Sequence, residues 1–257
     1  MTSDGGRRDM EKEPAIRTRE EIRGMLAAGQ LAGKLRKELG KKVRPGVSTL
    51  ELNRFAEHYL TDRRARAAQI GFHGYPYAIC AAINDCVCHG MPDGRPLREG
   101  DLVTLDFVVE LDGWMADTAW TFAVGSVSEK AERLRRAAYQ AMAAGIARTR
   151  PGNRLRDVAA AVEEAAGAYG VVSQFGGHGI GRAMHEPPEV SFVTAADGSL
   201  ILKEGMVLTI EPMLTDGSPE VYIEEDGWSV KTMDGGWAAQ FEHTVAVTAE
   251  GPLVLTR

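Results

Sequence analysis

Cysteine is scarce in this chain and unevenly placed. Only Cys80, Cys86 and Cys88 occur in 257 residues, and they lie within nine positions of one another. A disulfide framework needs more cysteines at wider spacing, so this usage predicts a reducing compartment. A zinc site at Cys86 and Cys88 would need a second ligand pair at zinc-finger spacing, which the sequence lacks.

Long apolar runs, a secretory signal and an excess of basic residues are also lacking. No run of about 18 apolar residues could span a bilayer, so no membrane partner is expected. The N-terminus is polar and lacks the apolar segment of a signal peptide, which favours a cytoplasmic protein. With 30 basic and 36 acidic residues the net charge is −6, which gives no electrostatic reason to expect DNA as a partner.

The length of 257 residues allows one large domain or two small ones. Residues 1–14 are polar and carry no apolar periodicity, so we expect a disordered N-terminal tail there. Residues 15–257 are expected to form a single domain, because apolar patterning continues through them.

The first part of the chain predicts a pair of helices. Apolar residues at helical spacing run through residues 16–42, and Arg44-Pro45-Gly46 then breaks the chain. The next helix begins at Ser48, because Ser48 and Glu51 have the spacing of a capping box, in which each side chain bonds a free backbone N–H of the first turn.

The same order of elements returns later in the chain. A helix predicted over residues 128–149 is followed by Arg150-Pro151-Gly152 and by another helix that starts near Leu155. The two Arg-Pro-Gly segments are offset by 106 residues, which favours two similar α+β halves. Two ordinary helical hairpins with the same chain break would explain the pattern equally well.

A β-hairpin carries the first pair of acids. Asp112-Gly113 lies between two alternating apolar runs, at residues 103–111 and 114–124, which predicts a two-residue turn. In that register Asp106 opposes Ala119 and Asp117 opposes Val108, so both carboxylates lie on one face as diagonal neighbours about 7–8 Å apart. The small Ala119 would leave room for them to converge. Two solvated aspartates near a turn remain the simpler alternative for such a pair.

Further candidate residues lie in strands and glycine-rich turns. Residues 206–211, 220–225 and 240–248 look like strands, and the separation of helices from hairpins predicts the α+β class. Glu211 and Glu242 are acids in otherwise apolar strands, so each must face water or find a partner. The candidate histidines are His89, His178 within four glycines, and His185. A structural role is the alternative for His89 and His178.

Taken together, these side chains resemble a metal ligand set. Four carboxylates and one imidazole suit two divalent ions about 3.5–4 Å apart with a bridging hydroxide. Oxygen-rich ligands favour Mn²⁺, Fe²⁺ or Co²⁺, with Zn²⁺ also compatible. The candidate ligands are Asp106, Asp117, His178, Glu211 and Glu242.

At these residues the chain resembles the type I methionine aminopeptidases, metallopeptidases of the pita-bread fold. The resemblance covers about residues 15–255. It is carried by His73-Gly-Tyr-Pro, by residues 84–92, by Asp106 with Asp117, by Gly177-His-Gly-Ile-Gly-Arg-Ala-Met-His185, by Thr209-Ile-Glu211-Pro-Met, and by Gln240-Phe-Glu242-His.

The resemblance implies a fold and a reaction. The fold would be two pseudo-symmetric halves, each an antiparallel sheet covered by helices, in one catalytic metallopeptidase domain. The reaction would be removal of the initiator methionine from nascent proteins whose second residue is small. Asp106, Asp117 and Glu242 would hold one ion, and Asp117, His178, Glu211 and Glu242 the other.

The resemblance also assigns catalytic and substrate-binding residues. His89 would hydrogen-bond the substrate, His185 would stabilise the developing oxyanion, and Glu211 would shuttle protons. The apolar methionine pocket would consist of Phe72, Tyr75, Cys80, Met184 and Trp228. Gln69 lies where some relatives have a second pocket cysteine, which leaves fine substrate preference open.

The short spacing between His185 and Glu211 indicates the subclass. Glu211 follows His185 by only 26 positions, whereas type II enzymes carry a long helical insertion there. The resemblance is thus to the short bacterial form, which implies a monomer with transient ribosome contact. An X-Pro aminopeptidase or prolidase shares the ligands but usually has a separate N-terminal domain. A non-catalytic binding protein of this fold would have lost ligands that are all present here.

Overall fold

The computed structural model describes residues 13–196 and 198–257, and its helices come in two pairs. The first pair is α1 (Arg19–Gly40) and α2 (Thr49–Thr61), and the second is α3 (Glu129–Arg148) and α4 (Leu155–Ala166). α1 and α3 are slightly shorter than the predicted 16–42 and 128–149. The predicted capping box is confirmed, since Ser48 accepts a bond from the Glu51 backbone and Glu51 accepts one from Ser48.

The strands form antiparallel sheets. In chain order they are β1 (Arg66–Ala67), β2 (Cys80–Ile83), β3 (Cys86–Cys88), β4 (Leu102–Leu111), β5 (Trp114–Ala123), β6 (Gly170–Val171), β7 (Gly177–Gly179), β8 (Glu186–Val190), β9 (Val207–Ile210), β10 (Met213–Thr215), β11 (Val221–Ile223), β12 (Val230–Thr232), β13 (Ala238–Gln240), β14 (His243–Thr248) and β15 (Gly251–Val254). The larger sheets run β1-β4-β2, with β5 also on β4, and β15-β14-β9-β7-β8. β13-β10-β6 and β11-β12-β3 form smaller sheets.

The hairpin of β4 and β5 has the predicted register. Leu111 faces Trp114 across the turn, Asp106 opposes Ala119 and Val108 opposes Asp117. Asp112 and Gly113 both have positive φ, as the two-residue turn requires. Local turn chemistry therefore fixed the pairing that places two aspartates on one face.

The two halves of the chain repeat each other. The N–H of Gly46 bonds the carbonyl of Leu97, and the N–H of Gly152 makes the same bond to Leu202. Both glycines are left-handed, with φ of 90° and 88°. This agreement in geometry favours two similar halves over two unrelated helical hairpins.

The sequence repeat also extends into the central strands. Glu99-Gly100 precedes β4 and Glu204-Gly205 precedes β9, and each segment then leads through Thr-x-acid, at Thr104-x-Asp106 and Thr209-x-Glu211. Asp106 and Glu211 therefore occupy matching positions in the two halves. The fold class expected from the sequence, α+β with two pseudo-symmetric halves, is confirmed.

Each half has its own apolar core between its helices and its sheet. In the first half, Leu35 and Leu39 of α1 and Leu52 of α2 pack with Val103 and Leu105 of β4. In the second half, residues of α3 and α4 pack against β9 and β14, through Leu134, Val158, Leu208, Ile210 and Val245. Because both cores are closely packed, they keep the central strands of the two sheets in fixed positions.

One strand prediction is wrong in an informative way. Residues 240–248 were expected to form a single strand, but the chain leaves the ladder at Glu242, between β13 and β14. The Glu242 N–H instead bonds the carbonyl of Ala119 in β5, 2.9 Å away. The break allows the chain to join the two sheets at this point. The strand expected at 220–225 is shorter, at Val221–Ile223.

Two further expectations concern the ends and the cysteines. The disordered tail predicted for residues 1–14 lies outside the described residues, except for Glu13 and Pro14, which have no regular secondary structure. Cys80, Cys86 and Cys88 are buried free thiols. In the described part of the chain, no helix is long and apolar enough to cross a membrane.

Helix α1 should not tolerate a side chain at Gly29. Alanine usually stabilises a helix by about 1 kcal/mol over glycine, but a Cβ at Gly29 would overlap the carbonyl of Leu255. We expect Gly29→Ala to lower the free energy of unfolding by about 1–3 kcal/mol, the range for overpacking. Urea unfolding measures this, and Gln30→Ala, at an exposed position next to it, is the control. A stabilised Gly29→Ala protein would contradict the close contact.

Candidate metal centre and its cavity

Three carboxylates meet where the two sheets join. Asp106 of β4, Asp117 of β5 and Glu242 each offer an oxygen within 4.8 Å of the others. Ala119 explains the convergence, because it opposes Asp106 in the hairpin and its carbonyl accepts the Glu242 N–H. Asp106, Ala119 and Glu242 thus lie in one row across neighbouring segments, and Asp117 precedes Ala119 by two residues in β5. The small side chain of Ala119 leaves the space between the acids open.

Threonines brace the backbone of this junction. The Thr118 hydroxyl donates to the Glu242 carbonyl at 3.0 Å. The Thr244 hydroxyl accepts from the Asp117 N–H and donates to the Asp117 carbonyl, both at 2.9 Å. Because these bonds run between the sheets, the positions of Asp117 and Glu242 depend on one another.

His178 and Glu211 approach the same point from the second half. The Nε2 atom of His178 lies 3.8 Å from Asp117 Oδ2 and 3.7 Å from Glu211 Oε1. Its Nδ1 atom lies 2.9 Å from the Gly179 carbonyl, so Nδ1 carries the proton and Nε2 keeps a free lone pair. Thr209 links the two residues, because its hydroxyl accepts from the His178 N–H and donates to Glu211 Oε1 at 2.6 Å.

The acids raise one another's pKa values. Burial, and then the neighbouring Glu211, raises the pKa of Asp117 to about 7, while burial and Asp106 raise the pKa of Glu211 to about 8. Burial, followed by the neighbouring Asp117, raises the pKa values of Asp106 and Glu242 well above their usual range. Burial, followed by His185, lowers the pKa of His178 to about 3, so its imidazole is neutral.

The donor set fits divalent cations. Asp117 Oδ1 and Glu242 Oε1 are buried oxygens without a hydrogen-bond partner among the described residues, a costly arrangement for a carboxylate. A cation between the acids would offset both their repulsion and the missing partners. Four carboxylates with one imidazole lone pair are ligands that Mn²⁺, Fe²⁺ and Co²⁺ accept.

A cavity of about 530 Å³ opens directly onto these acids. Asp106, Asp117, His178 and Glu211 line it, whereas Glu242 is 1% exposed and lies beneath. The seven predicted catalytic and substrate-binding residues other than Glu211 also line it, namely Phe72, Tyr75, Cys80, His89, Met184, His185 and Trp228. The structure therefore brings every predicted site residue to one place.

Aromatic contacts shape the cavity wall. The Tyr75 and Trp228 rings are 4.8 Å apart, and His185 lies 5.2 Å from Phe72 and 4.3 Å from His178 between ring centroids. Burial, followed by the nearby His89 and His73, lowers the pKa of His185 to about 4, and burial lowers the pKa of His89. Both imidazoles are therefore neutral near pH 7, and each keeps one N–H to donate.

Sequence reasoning did not single out several residues of the site. Phe175 packs on His89 at 5.4 Å, and Gln240 donates to Glu211 Oε2 at 3.3 Å. Thr209 and Gln240 each precede an acid by two residues, so strand periodicity puts them on the face of that acid. That spacing could have identified Thr209 and Gln240 from the sequence. No comparable pattern identifies Phe175, because the residues it contacts come from distant parts of the chain.

Stability without metal should fall as the pH rises. The pKa values of Asp117 and Glu211 are higher in the folded chain than in the unfolded one, so their contribution is complete below about pH 4 and is lost towards pH 8. Cations compete with those protons. Mn²⁺ at one hundred times its Kd should stabilise the folded chain by about 2.7 kcal/mol. At one fixed Mn²⁺ concentration we expect it to raise the thermal midpoint more at pH 8 than at pH 6.

Matched variants separate this effect from general ion binding. Asp117→Asn should abolish the pH-dependent gain from Mn²⁺, while Asp62→Asn, at an exposed position on the end of α2, should keep it. Differential scanning fluorimetry at the two pH values makes the comparison. An equal gain in both variants would show that the ion binds elsewhere.

Comparison with known proteins agrees with this geometry. Residues 23–249 match the model of metallopeptidase family M24. A methionine aminopeptidase from Salmonella typhimurium is 42% identical over 246 residues, which cover 94% of this chain and 93% of that protein. The crystal structure of methionine aminopeptidase from Rickettsia prowazekii has a TM-score of 0.93 and 39% identity, over 95% of this chain and all of that one.

A prolidase bears on the alternative enzyme class. The prolidase from Pyrococcus furiosus shares the fold, with a TM-score of 0.75 and 25% identity over 94% of this chain. The match covers only 65% of the prolidase, so that protein has a large part with no counterpart here. The family match, the identity to relatives over nearly the full length and the cluster of buried acids lead to one conclusion: the chain belongs to metallopeptidase family M24.

Proposed function

We infer that the chain is a methionine aminopeptidase, which hydrolyses the peptide bond after an N-terminal methionine. The observation that carries this inference is the cavity itself. It joins a buried cluster of acids to an apolar wall that contains Phe72, Tyr75, Met184 and Trp228. Such a wall suits a long, unbranched apolar side chain, and the relatives of nearly the same length carry this activity in their names.

We propose that the acids hold two divalent ions. Asp106, Asp117 and Glu242 would hold one, and Asp117, His178, Glu211 and Glu242 the other. The distances between these side chains and the free Nε2 lone pair of His178 support this assignment. Manganese, iron or cobalt is the proposed metal. When bound, the ions would lower the pKa of a water and polarise the scissile carbonyl.

The chain's own residues would direct the protons. Glu211 would carry a proton from the attacking water to the leaving amine through Oε1 and Oε2. The hydrogen bonds that Thr209 donates to Oε1 and Gln240 donates to Oε2 hold this carboxylate in place and support such a role. His185 would donate an N–H to the oxyanion, and His89 would donate to the substrate amide. Their neutral state near pH 7 supports both roles.

The substrate and setting follow from the same proposal. The free chain end would enter the cavity, and the second residue would be small. We propose that the enzyme acts as a monomer in the cytoplasm on nascent proteins, with transient contact with the ribosome. The buried thiols of Cys80, Cys86 and Cys88 support a reducing compartment.

The first test compares two peptides. Met-Ala-Ser and Ala-Pro-Ser are incubated with the protein and Mn²⁺, Co²⁺ or Fe²⁺, and free amino acids are followed by mass spectrometry. We expect metal-dependent release of methionine from the first peptide alone, and its loss in Asp117→Ala. Release of alanine from the second peptide would move the chain to the X-Pro enzymes. No release with any metal would favour a binding protein.

The second test addresses His185. Removal of one oxyanion donor typically lowers kcat by about 10²–10³-fold, because the bond forms mainly in the transition state. We expect His185→Ala to show that loss with a small change in KM. His58→Ala, at an exposed position on α2 away from the cavity, should leave both constants unchanged. A loss confined to KM would assign His185 to ground-state binding instead.

A further inference from the structure

The methionine pocket contains a buried amide side chain, Gln69, that an apolar pocket does not need. Gln69 lines the cavity together with Phe72, Val108 and Met184, and its side chain is buried, with the residue only 8% exposed. A buried amide in an apolar wall is costly unless its polar atoms are paired. The question is therefore which of its atoms already have partners.

The backbone N–H of Val108 and the side chain of Cys80 determine the orientation of the Gln69 amide. The N–H of Val108 donates to Gln69 Oε1, and Gln69 Nε2 donates to Cys80 Sγ. Each donor–acceptor distance is 3.4 Å. The opposite orientation would set an NH₂ group against the Val108 N–H, so the carbonyl must face Val108. The NH₂ group then lies on the side of Cys80.

This NH₂ group is poorly satisfied. One of its hydrogens meets a thiol sulfur, which is a weak acceptor, and the other has no partner among the described residues. A buried donor left without a partner costs about 1–3 kcal/mol. An occupant of the pocket that offered a strong acceptor at this place would remove that cost.

The place is next to the metal centre. Cys80 opposes Asp106 in the pairing of β2 with β4, so the Gln69 NH₂ lies one side chain beyond the acids. Under the proposed function, the side chain of the terminal residue occupies this part of the cavity. The donor would then face the far end of that side chain, where methionine carries its sulfur.

We propose that Gln69 makes N-terminal methionine sulfoxide a second substrate of this enzyme. The sulfoxide oxygen is a strong acceptor attached to the sulfur, and it would accept a hydrogen bond from the free N–H of Gln69. One water adds across the peptide bond, which releases methionine sulfoxide and a peptide with a new amino terminus, and the sulfur keeps its oxidation state. This inference rests on the proposed methionine aminopeptidase activity.

A wholly apolar pocket would behave differently. Such a pocket would bury the polar S=O group without a partner, and a site that lacks the matching donor loses the corresponding binding energy in the transition state. Gln69→Leu keeps a side chain of similar size and removes the donor. It should therefore lower cleavage of the sulfoxide substrate much more than cleavage of the thioether substrate.

The experiment measures kcat/KM for Met-Ala-Ser and for the two sulfoxide epimers of the same peptide, with the Mn²⁺-loaded enzyme. The wild-type enzyme is expected to cleave the sulfoxide peptide, with unequal rates for the epimers, because Val108 and Cys80 fix the direction of the donor. Gln69→Leu is expected to lower the ratio of sulfoxide to methionine cleavage by about 10-fold or more, as loss of one buried hydrogen bond implies. Gln174→Leu, the same change at an exposed position on the cavity rim, should leave that ratio unchanged.

Each other outcome has a single meaning. Cleavage of Met-Ala-Ser without cleavage of either sulfoxide epimer overturns the inference and leaves the proposed function intact. Equal rates for the two epimers in the wild-type enzyme also overturn it, and this measurement does not depend on the folding of a variant. An unchanged ratio in a folded Gln69→Leu protein assigns the sulfoxide to another donor. Failure to cleave Met-Ala-Ser removes the proposed function itself.

Discussion

Four carboxylates converge at the junction of the two sheets, and their mutual repulsion constrains everything around them. Asp117, Glu211 and Glu242 are buried, and Asp106 is half-buried. Burial and this repulsion raise the pKa values of the four acids, so a cation among them would stabilise their ionised forms. Hydrogen bonds from threonines and the break in the chain at Glu242 keep the acids together. The fold thus stores an unfavourable arrangement that divalent metal relieves, which couples metal binding to stability.

The internal repeat explains how the fold builds such a site. Each half contributes an acid from a matching sequence segment, Asp106 within β4 and Glu211 directly after β9. The halves differ where they meet, because β5 supplies Asp117 and the interrupted chain between β13 and β14 supplies Glu242. Neither half has the complete ligand set. The catalytic centre is therefore a property of the junction, and the two cores serve to hold the junction still.

Selectivity has a different physical basis from catalysis in this protein. Under the proposed function, metal ligands would fix where the peptide bond reacts, whereas the apolar wall next to them would fix which side chain is accepted. An apolar pocket discriminates weakly, by about 1–3 kcal/mol for each methylene. A single buried donor such as Gln69 can change the preference between substrates more strongly. A substrate without a matching acceptor leaves that donor unpaired, which costs the full desolvation penalty. Small differences in this wall can separate enzymes that share every metal ligand.

Most of the local structure follows from short-range patterns in the sequence. Capping residues, the Arg-Pro-Gly breaks and the Asp112-Gly113 turn set the helices and the register that puts Asp106 and Asp117 on one face, since these depend only on near neighbours. The motifs also named the side chains that the structure brings together at the candidate metal centre. Tertiary structure alone decided that Glu242 leaves its ladder, that Phe175 packs on His89, and that the Gln69 amide faces the pocket. These features depend on contacts between distant segments at the junction of two sheets, and no periodicity or spacing along the chain carries that information.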